Sequence, residues 1–267
     1  MEYFRPTTLE EAYGALVAED ARCIAGGQSL VAMMNLGVAA PGRIVSLRRI
    51  EALRGIETLA DGGLRIGAMA THAEIAALDA TGAGPILLAQ TAALVAYPAI
   101  RAQGTIGGSV AHADPAADYP VALVAADAVI EIGSAAGPRV VPARDFFKGA
   151  FETALEAGEI VTAIRVPRGP EGARTRYEKL SLVAGDFAIL SVAAIVAKDV
   201  TVGIGGLDMK PLFLTGIEPT EAALIDAGHR LVAAGNPPTD HRASAEYRRQ
   251  VLPRLLNRAV LTVGGAR

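Results

Sequence analysis

The sequence predicts a two-domain α+β protein, and three observations support this fold class. Its 267 residues provide enough chain for about two modest domains. Up to residue 166, short segments with the apolar patterning of strands alternate with short helical segments. Beyond residue 186 the order changes, because two strand segments precede two longer helical ones. We place the boundary in the turn-rich segment 167–175, which gives a first domain over 1–170 and a C-terminal domain over 171–267.

Capping signals and turn residues define the elements of the first half. A threonine followed three residues later by Glu occurs at Thr8 and at Thr71, and this capping-box spacing predicts a helix start at each. A short helix is predicted over 29–36. The periodicity of 85–100 predicts one longer helix with Pro98 near its end. Short strands are predicted over 22–25, 43–47, 55–59 and 64–68.

Strand segments dominate the second half until the last two helices. A helix beginning at Asp118 precedes the first of these strands. The predicted strands cover 128–132, 159–166, 174–182, 187–197 and 200–204. Helical periodicity then predicts the two C-terminal helices over 220–234 and 244–260.

Composition and charge exclude several classes of protein. Hydrophobic residues make up 51% of the chain and charged residues 20%, which is typical of a globular protein. A net charge of −3 without basic runs argues against nucleic acid as the main partner. The longest apolar stretches, 121–126 and 188–197, are shorter than the roughly 20 residues of a membrane span, and the N-terminus lacks a signal-peptide apolar region. We therefore expect a cytoplasmic protein without a transmembrane segment.

Cysteine and histidine usage argues against a metal centre in this chain. The single cysteine, Cys23, excludes an internal disulfide, a Cys-ligated iron–sulfur cluster and a Cys-rich zinc site built from this chain alone. No two of the 4 histidines have the helical spacing of metal ligands. We therefore predict no metal site, and any one-electron relay needs another subunit.

Two glycine turns are candidates for binding a dinucleotide. In the first, Gly26 and Gly27 lie between an apolar strand and a helix start, and Ser29 adds a hydroxyl donor. This turn has no Walker lysine and does not match GxGxxG, and taken alone such a segment is more often only a turn. In the second, Gly107 and Gly108 stand between hydroxyl residues about eighty positions later. As a pair, the turns predict two N–H cradles for the two phosphates of one dinucleotide.

Asp118 follows the second turn and has two interpretations. Its carboxylate either accepts hydrogen bonds from ligand hydroxyls or caps the helix that follows. Spacing alone does not decide between them.

Five ordered segments carry a resemblance to a known family. They are AGGQSLVAMMNL, QGTIGGSVAHADPAADYP, GEIVTAIRVP, YEKLSLVAGDFAI and DHRASAEYRRQVL. Together they resemble the FAD-binding medium subunit of molybdenum hydroxylases, the family of carbon monoxide dehydrogenase medium chains and of the xanthine dehydrogenase flavin domain. The resemblance covers nearly the whole chain. It implies a two-part FAD-binding fold of the vanillyl-alcohol-oxidase/PCMH type, followed by a smaller α+β C-terminal domain.

The resemblance also implies a set of FAD-binding residues in this chain and no catalytic or metal-binding residues. For the diphosphate the implied residues are Cys23, Ile24, Ala25, Gly26, Gly27, Gln28, Ser29 and Leu30 of the first turn, and Thr105, Ile106, Gly107, Gly108 and Ser109 of the second. For the flavin portion they are Asp118, Val161, Lys179 and Phe187. The chain departs from the family at Gln28, where many members have His.

Lys179 and Phe187 each have a structural alternative. Without the resemblance, Lys179 is expected to be a solvated strand lysine. Phe187 opens an apolar strand, and such a residue more often belongs to the core than to a cofactor site.

The function implied by the resemblance is electron transfer within a heteromeric molybdenum-dependent hydroxylase or dehydrogenase. FAD on this chain accepts electrons from [2Fe-2S] clusters of a small iron–sulfur subunit, while a large molybdopterin subunit oxidises the substrate. The implied assembly is a dimer of heterotrimers. Two alternatives stay open: a self-sufficient FAD oxidoreductase of the same fold, and a non-catalytic flavin-fold scaffold. The sequence identifies neither the substrate nor the external acceptor.

Overall fold

The computed structural model describes residues 1–262, and its strands form four sheets. The strands are β1 (Glu2–Phe4), β2 (Ala21–Ile24), β3 (Arg43–Ser46), β4 (Ile56–Thr58), β5 (Leu64–Gly67), β6 (Val129–Ser134), β7 (Gly137–Pro142), β8 (Phe147–Gly149), β9 (Glu152–Thr153), β10 (Ile160–Val166), β11 (Arg174–Leu180), β12 (Leu190–Val196), β13 (Val200–Gly205) and β14 (Leu212–Ile217). The helices are α1 (Leu9–Ala15), α2 (Leu30–Asn35), α3 (His72–Ala76), α4 (Ala83–Ala93), α5 (Pro98–Arg101), α6 (Ile106–His112), α7 (Asp118–Ala125), α8 (Ala143–Phe146), α9 (Glu221–Ala234) and α10 (Ala245–Leu261).

The N-terminal sheet is parallel, with strand order β1-β3-β2. Helix α1 connects β1 to β2, and α2 connects β2 to β3. Because parallel strands end at the same edge of a sheet, the segments that follow β2 and β3 lie side by side. This edge carries the first glycine turn.

The middle sheet is antiparallel, with order β4-β5-β10-β6-β7. Between its strands the chain forms α3 to α7, and every residue of α7 is buried. A helix that is apolar on all sides needs neighbours on all sides. Accordingly, α7 contacts α4 and α6 as well as β12 and β13 of the C-terminal sheet.

The C-terminal sheet, β11-β12-β13-β14, is antiparallel and covered on both faces. All seven residues of β12 are buried. Its Ala193 and Ile195 belong to the hydrophobic cluster that includes α4 and α7, whereas Val192 and Ala194 belong to a second cluster with α9 and α10. This alternation is the two-residue period of a strand that packs on both sides.

The mixed helix and strand content confirms the predicted fold class, but one helix prediction is wrong. The segment 85–100 is not a single helix, because α4 ends at Ala93 and a separate helix begins at Pro98. Ala96 has a φ of 42°, which interrupts the helix, and proline suits the first position of the next one. The sequence analysis also missed β1, β7, β8, β9 and β14, which are edge strands or short strand pairs.

The two predicted capping boxes differ in the structure. At Thr71 the box is complete, with both reciprocal hydrogen bonds present. At Thr8 only half of it forms, because the Glu11 carboxylate accepts from the N–H of Thr7, at 2.7 Å, instead of from Thr8. The last five residues of the C-terminal domain predicted over 171–267 lie outside the described residues. Across residues 1–262, none of the helices combines the length and hydropathy that a membrane span requires.

Candidate functional site

The two glycine turns lie against each other at the edge of the N-terminal sheet. The first glycine turn (residues 25–29) follows β2, and the second (residues 105–109) begins α6. A Cβ added to Gly26 would overlap the Gln103 carbonyl oxygen and come within 2.8 Å of Gly104 Cα. A Cβ added to Gly108 would lie 3.6 Å from Ala25 Cβ. Only glycine at position 26 therefore permits this close approach of the two segments.

The first glycine turn presents a row of unpaired backbone donors. Within residues 1–262, the N–H groups from Gly26 to Leu30 donate to no protein acceptor. Intrahelical bonding begins only with the Val31 N–H, which donates to the Gly27 carbonyl at 3.2 Å. Gly27 has a φ of 77°, which strains any other residue, and the Ser29 hydroxyl makes no capping bond. Consecutive free N–H groups form a concave donor surface that suits an anion.

The second glycine turn uses its backbone donors differently. The N–H of Ile106 donates to the Ala70 carbonyl at 3.0 Å, and that of Gly107 donates to the Ala68 carbonyl at 2.9 Å. The N–H groups of Gly108 and Ser109 donate to Oγ1 and the carbonyl of Thr105, at 3.2 and 3.0 Å. A Cβ on Gly107 would lie 2.5 Å from Ala68 Cβ. The N–H groups of 106–109 are thus occupied within the fold, contrary to the expected second cradle.

The second turn still offers two polar groups to a ligand. Among the described residues, the Thr105 N–H and the Ser109 hydroxyl have no protein partner. The second turn therefore differs from the first in the number of donors that it can supply.

A cavity of about 200 Å³ adjoins both turns. It is lined by Ala25, Arg48, Arg54, Met69, Thr71, Ala102, Gln103 and Thr105. The Arg48 guanidinium donates to Gln103 Oε1 at 3.2 Å, and the Arg54 guanidinium donates to the Arg48 carbonyl at 2.5 Å. These two arginines give the cavity a positive rim that attracts anions. Sequence reasoning missed them, although Arg48 lies just after β3, at the strand edge shared with the first turn.

Asp118 and Lys179 form a buried ion pair across the seam between α7 and β11. Lys179 Nζ lies 3.1 Å from Asp118 Oδ2, and each side chain is only 6% exposed. The Tyr177 hydroxyl donates to Asp118 Oδ1 at 2.6 Å, and Lys179 Nζ also donates to the Leu94 carbonyl at 3.1 Å. Burial raises the pKa of Asp118, while Lys179 and the Tyr177 hydroxyl oppose that rise.

This geometry decides two of the open alternatives. Lys179 is not a solvated strand lysine, because its ammonium group is buried and paired. Asp118 is not a helix cap, because Ala117 occupies the cap position and the carboxylate is engaged by Tyr177 and Lys179.

A buried histidine and tyrosine lie beneath the second turn. His72 Nδ1 is 3.1 Å from the Tyr119 hydroxyl. A Cβ on Gly104 would lie 2.6 Å from His72 Nε2, so the ring packs directly under the segment that leads into the second turn. Burial lowers the pKa of His72 to about 4. The imidazole is therefore neutral at pH 7.

Two further residues from the sequence analysis, Val161 and Phe187, have distinct environments. Val161 is buried in β10, beside a bulge, and the carbonyl of the next residue, Thr162, accepts from the Ala68 N–H at 3.0 Å. Val161 thus lies in the strand that adjoins the second turn. Phe187 is 44% exposed, so the core alternative is wrong, and the Arg242 guanidinium lies 5.3 Å from its ring centroid.

Cys23 is a small, partly buried residue at the end of β2 that packs against the core. Burial raises the pKa of its thiol to about 12, which keeps it protonated and unreactive at neutral pH. Among the described residues, no three His, Cys, Asp or Glu side chains are grouped as metal ligands.

Comparison with known proteins identifies both halves of the chain. Residues 1–169 match the FAD binding domain in molybdopterin dehydrogenase, and residues 175–263 match the CO dehydrogenase flavoprotein C-terminal domain. The glyceraldehyde dehydrogenase medium chain of Sulfolobus acidocaldarius is 36% identical, with 96% of each chain covered. The carbon monoxide dehydrogenase medium chain of Afipia carboxidovorans is 37% identical, over 97% of this chain and 95% of the relative.

A solved structure shows the same fold. The crystal structure of a Cu,Mo-CO dehydrogenase, in its cyanide-inactivated form, contains a chain that superposes with a TM-score of 0.93 at 35% identity. The match covers 98% of this chain and 97% of the other. It confirms the predicted arrangement of an FAD-binding domain followed by a smaller C-terminal domain.

Proposed function

Because this chain belongs to the family of FAD-binding medium subunits of molybdenum hydroxylases, we propose that it transfers electrons from a partner subunit to an external acceptor. The FAD-binding domain at residues 1–169 binds the cofactor. Membership of the family makes the chain a subunit of an oxidoreductase. The proposed electron donor is a [2Fe-2S] cluster on a small iron–sulfur subunit, with substrate oxidised at a molybdopterin centre in a large subunit. The proposed assembly is a cytoplasmic dimer of heterotrimers.

The row of unpaired N–H groups in the first glycine turn is the observation that carries this proposal. The five donors belong to four half-buried residues and the exposed Gln28, and consecutive free N–H groups at a helix start form a cradle that favours a bound anion. The positive rim of Arg48 and Arg54 adds attraction for a diphosphate. The residues present therefore fit the FAD diphosphate at the first turn, from Cys23 to Leu30.

The second turn and the seam residues complete the proposed cofactor site. The Thr105 N–H and Ser109 hydroxyl are the proposed donors of the second turn, while Ile106, Gly107 and Gly108 shape it. Toward the flavin portion we propose Asp118, Val161, Lys179 and Phe187. When bound, FAD supplies the redox chemistry, and these residues bind and orient it. Lys179 is the cation that we propose to stabilise negative charge on the flavin portion of FAD.

The single cysteine supports the need for a partner. Cys23 alone cannot ligate an iron–sulfur cluster, which takes four ligands, so the electron donor must come from another chain. The relatives are medium chains and subunits of enzymes, which agrees with such an assembly. We also propose a domain division at 1–170 and 171–267.

The test is purification of the native complex through this chain, followed by its visible spectrum, chromatography of the released flavin, and assays of iron and molybdenum. FAD together with iron and molybdenum supports the proposal. FAD on a lone chain without metals would point to a self-sufficient flavoprotein, and a complex without flavin to a scaffold. A Gly27→Val variant should lose flavin, while Gly14→Ala, where an added Cβ meets nothing within 4 Å, should retain it.

A further inference from the structure

Tyr177 lies in a row of polar side chains on one face of β11. Residues 175, 177 and 179 share this face because strand side chains alternate. Thr175 Oγ1 bonds Gln90 Oε1 at 3.3 Å, Tyr177 bonds Asp118, and Lys179 bonds Asp118 and the Leu94 carbonyl. The row therefore ties the C-terminal sheet to α4 and α7 of the FAD-binding domain.

The Tyr177 hydroxyl and the Lys179 ammonium hold opposite oxygens of one carboxylate. Tyr177 is 4% exposed, and its hydroxyl donates to Asp118 Oδ1 at 2.6 Å. Lys179 Nζ donates to Oδ2 of the same carboxylate at 3.1 Å. A carboxylate with a donor on each oxygen cannot rotate without losing a charge-assisted hydrogen bond in a buried site.

The same contacts determine what Lys179 can offer to a ligand. A lysine ammonium has three donors, and Asp118 and the Leu94 carbonyl accept two of them. One donor is left for an acceptor on a bound molecule. Its direction is set by the two partners, so any rotation of the Asp118 carboxylate also redirects Lys179.

We propose that Tyr177 is a positioning residue, whose hydroxyl fixes the Asp118 carboxylate and thereby aims the free donor of Lys179 at the cofactor. This inference rests on the proposed function, since it takes Lys179 to face FAD. The partial positive charge of the hydroxyl also offsets the carboxylate's negative charge, which would otherwise oppose electron uptake by the flavin.

The test uses competitive acetylation of lysines in the purified complex, quantified residue by residue by mass spectrometry. The chain has Lys148, Lys179, Lys198 and Lys210, and the three lysines other than Lys179 are exposed and serve as internal references. In Tyr177→Phe we expect the reactivity of Lys179 to fall about tenfold relative to the other three, because the Asp118 carboxylate loses a donor and holds the ammonium more firmly in its protonated, unreactive form. Asp118→Asn should instead raise the reactivity of Lys179, because the ammonium loses its counter-charge.

A matched control is Tyr119→Phe. This tyrosine is also buried and is next to Asp118 in sequence, but its hydroxyl bonds His72. Its loss should leave the reactivity of Lys179 unchanged. A double variant, Tyr177→Phe with Asp118→Asn, should have the same Lys179 reactivity as Asp118→Asn alone, because the hydroxyl acts through the carboxylate.

The reduction potential of the bound flavin gives a second, independent readout. Tyr177→Phe should shift the potential negative, because the carboxylate loses a compensating donor, whereas Asp118→Asn should shift it positive. The proposal is overturned if Tyr177→Phe leaves the reactivity of Lys179 as it is in the wild type, or raises it to that of the three exposed lysines. Complexes that lack flavin would refute the proposed function, while the acetylation pattern would still decide the role of Tyr177.

Discussion

The two glycine turns contain similar residues but use their backbones in opposite ways. Within residues 1–262, the N–H donors from Gly26 to Leu30, in the first turn and directly after it, are free, whereas those of the second turn, from Ile106 to Ser109, are bonded to Ala68, Ala70 and Thr105. The glycines differ accordingly: Gly27 supplies a left-handed backbone, and Gly107 supplies space against Ala68. Similar Gly-Gly motifs therefore leave backbone donors free in one place and serve helix packing in the other.

The largest expected effect is that of Gly107→Val. A branched side chain there must displace Ala68 in the buried strand-to-helix contact, so we expect a loss of about 3 kcal/mol or more in the free energy of unfolding. Chemical denaturation of the flavin-free chain measures it, with Gly14→Ala as a control expected to be neutral or slightly stabilising. Normal stability combined with lost flavin would instead make Gly107 part of the ligand cradle.

Acid should destabilise the region beneath the second turn. The pKa of His72 is about 4 in the folded chain and near 6.5 when unfolded, so the unfolded state binds more protons between these values. The contribution of His72 to stability is complete above about pH 6.5 and falls by up to about 3 kcal/mol as the pH drops to 4.

Urea unfolding at a series of pH values measures this slope. His72→Gln should flatten it, whereas His229→Gln, at an exposed position of α9, should leave it unchanged. The protection of the amides of residues 106–109 against hydrogen exchange should decrease in acid more than that of the amides of α9. If the pH dependence of the unfolding free energy were the same in His72→Gln as in the wild type, His72 would not be the origin of the acid sensitivity.

A smaller effect is expected from the cap of the second turn. The Thr105 hydroxyl accepts the Gly108 N–H, so Thr105→Val should cost about 1 kcal/mol of stability. Thr105→Ser keeps the hydroxyl and should cost much less. Equal losses in the two variants would show that the methyl packing of Thr105, and not its hydroxyl, stabilises the turn.

The smallest effect on stability is expected at the first turn. The Ser29 hydroxyl has no protein partner among the described residues, so Ser29→Ala should leave the unfolding free energy of the flavin-free chain unchanged. If the hydroxyl binds the diphosphate, the Kd for FAD should rise about tenfold to a hundredfold, the value of one hydrogen bond to a charged group. Ser29→Thr should restore binding. Unchanged FAD affinity in Ser29→Ala would remove the serine from the site.

Local patterns predicted the elements with long or clearly capped sequences. The capping box at Thr71 and the strand β12 form as expected, because their bonds and apolar alternation involve neighbours in sequence. The helix predicted over 85–100 was wrong because the break at Ala96 depends on one backbone angle that no periodicity encodes. Edge strands such as β1 and β14 were missed because a three- to six-residue strand depends on its partner strand.

The candidate site was predicted in part. The turns, Asp118 and Lys179 were located from their motifs and the family resemblance, but Tyr177, Arg48 and Arg54 were not. Nothing in the spacing of Tyr177 indicates that its hydroxyl meets a residue 59 positions away. Arg48 is separated from Gln103 by 55 positions, and only the tertiary packing within the FAD-binding domain brings the two side chains together.

From the amino-acid sequence alone follow the α+β class, the family and the two glycine turns, because residue types and short-range order decide them. The tertiary structure alone decided which turn keeps free N–H donors. It also decided that the Asp118 carboxylate, the Lys179 ammonium and the Tyr177 hydroxyl meet in one buried cluster. The physical reason is that a hydrogen bond is settled by the acceptor that the fold brings within about 3 Å, and that acceptor is often distant in sequence.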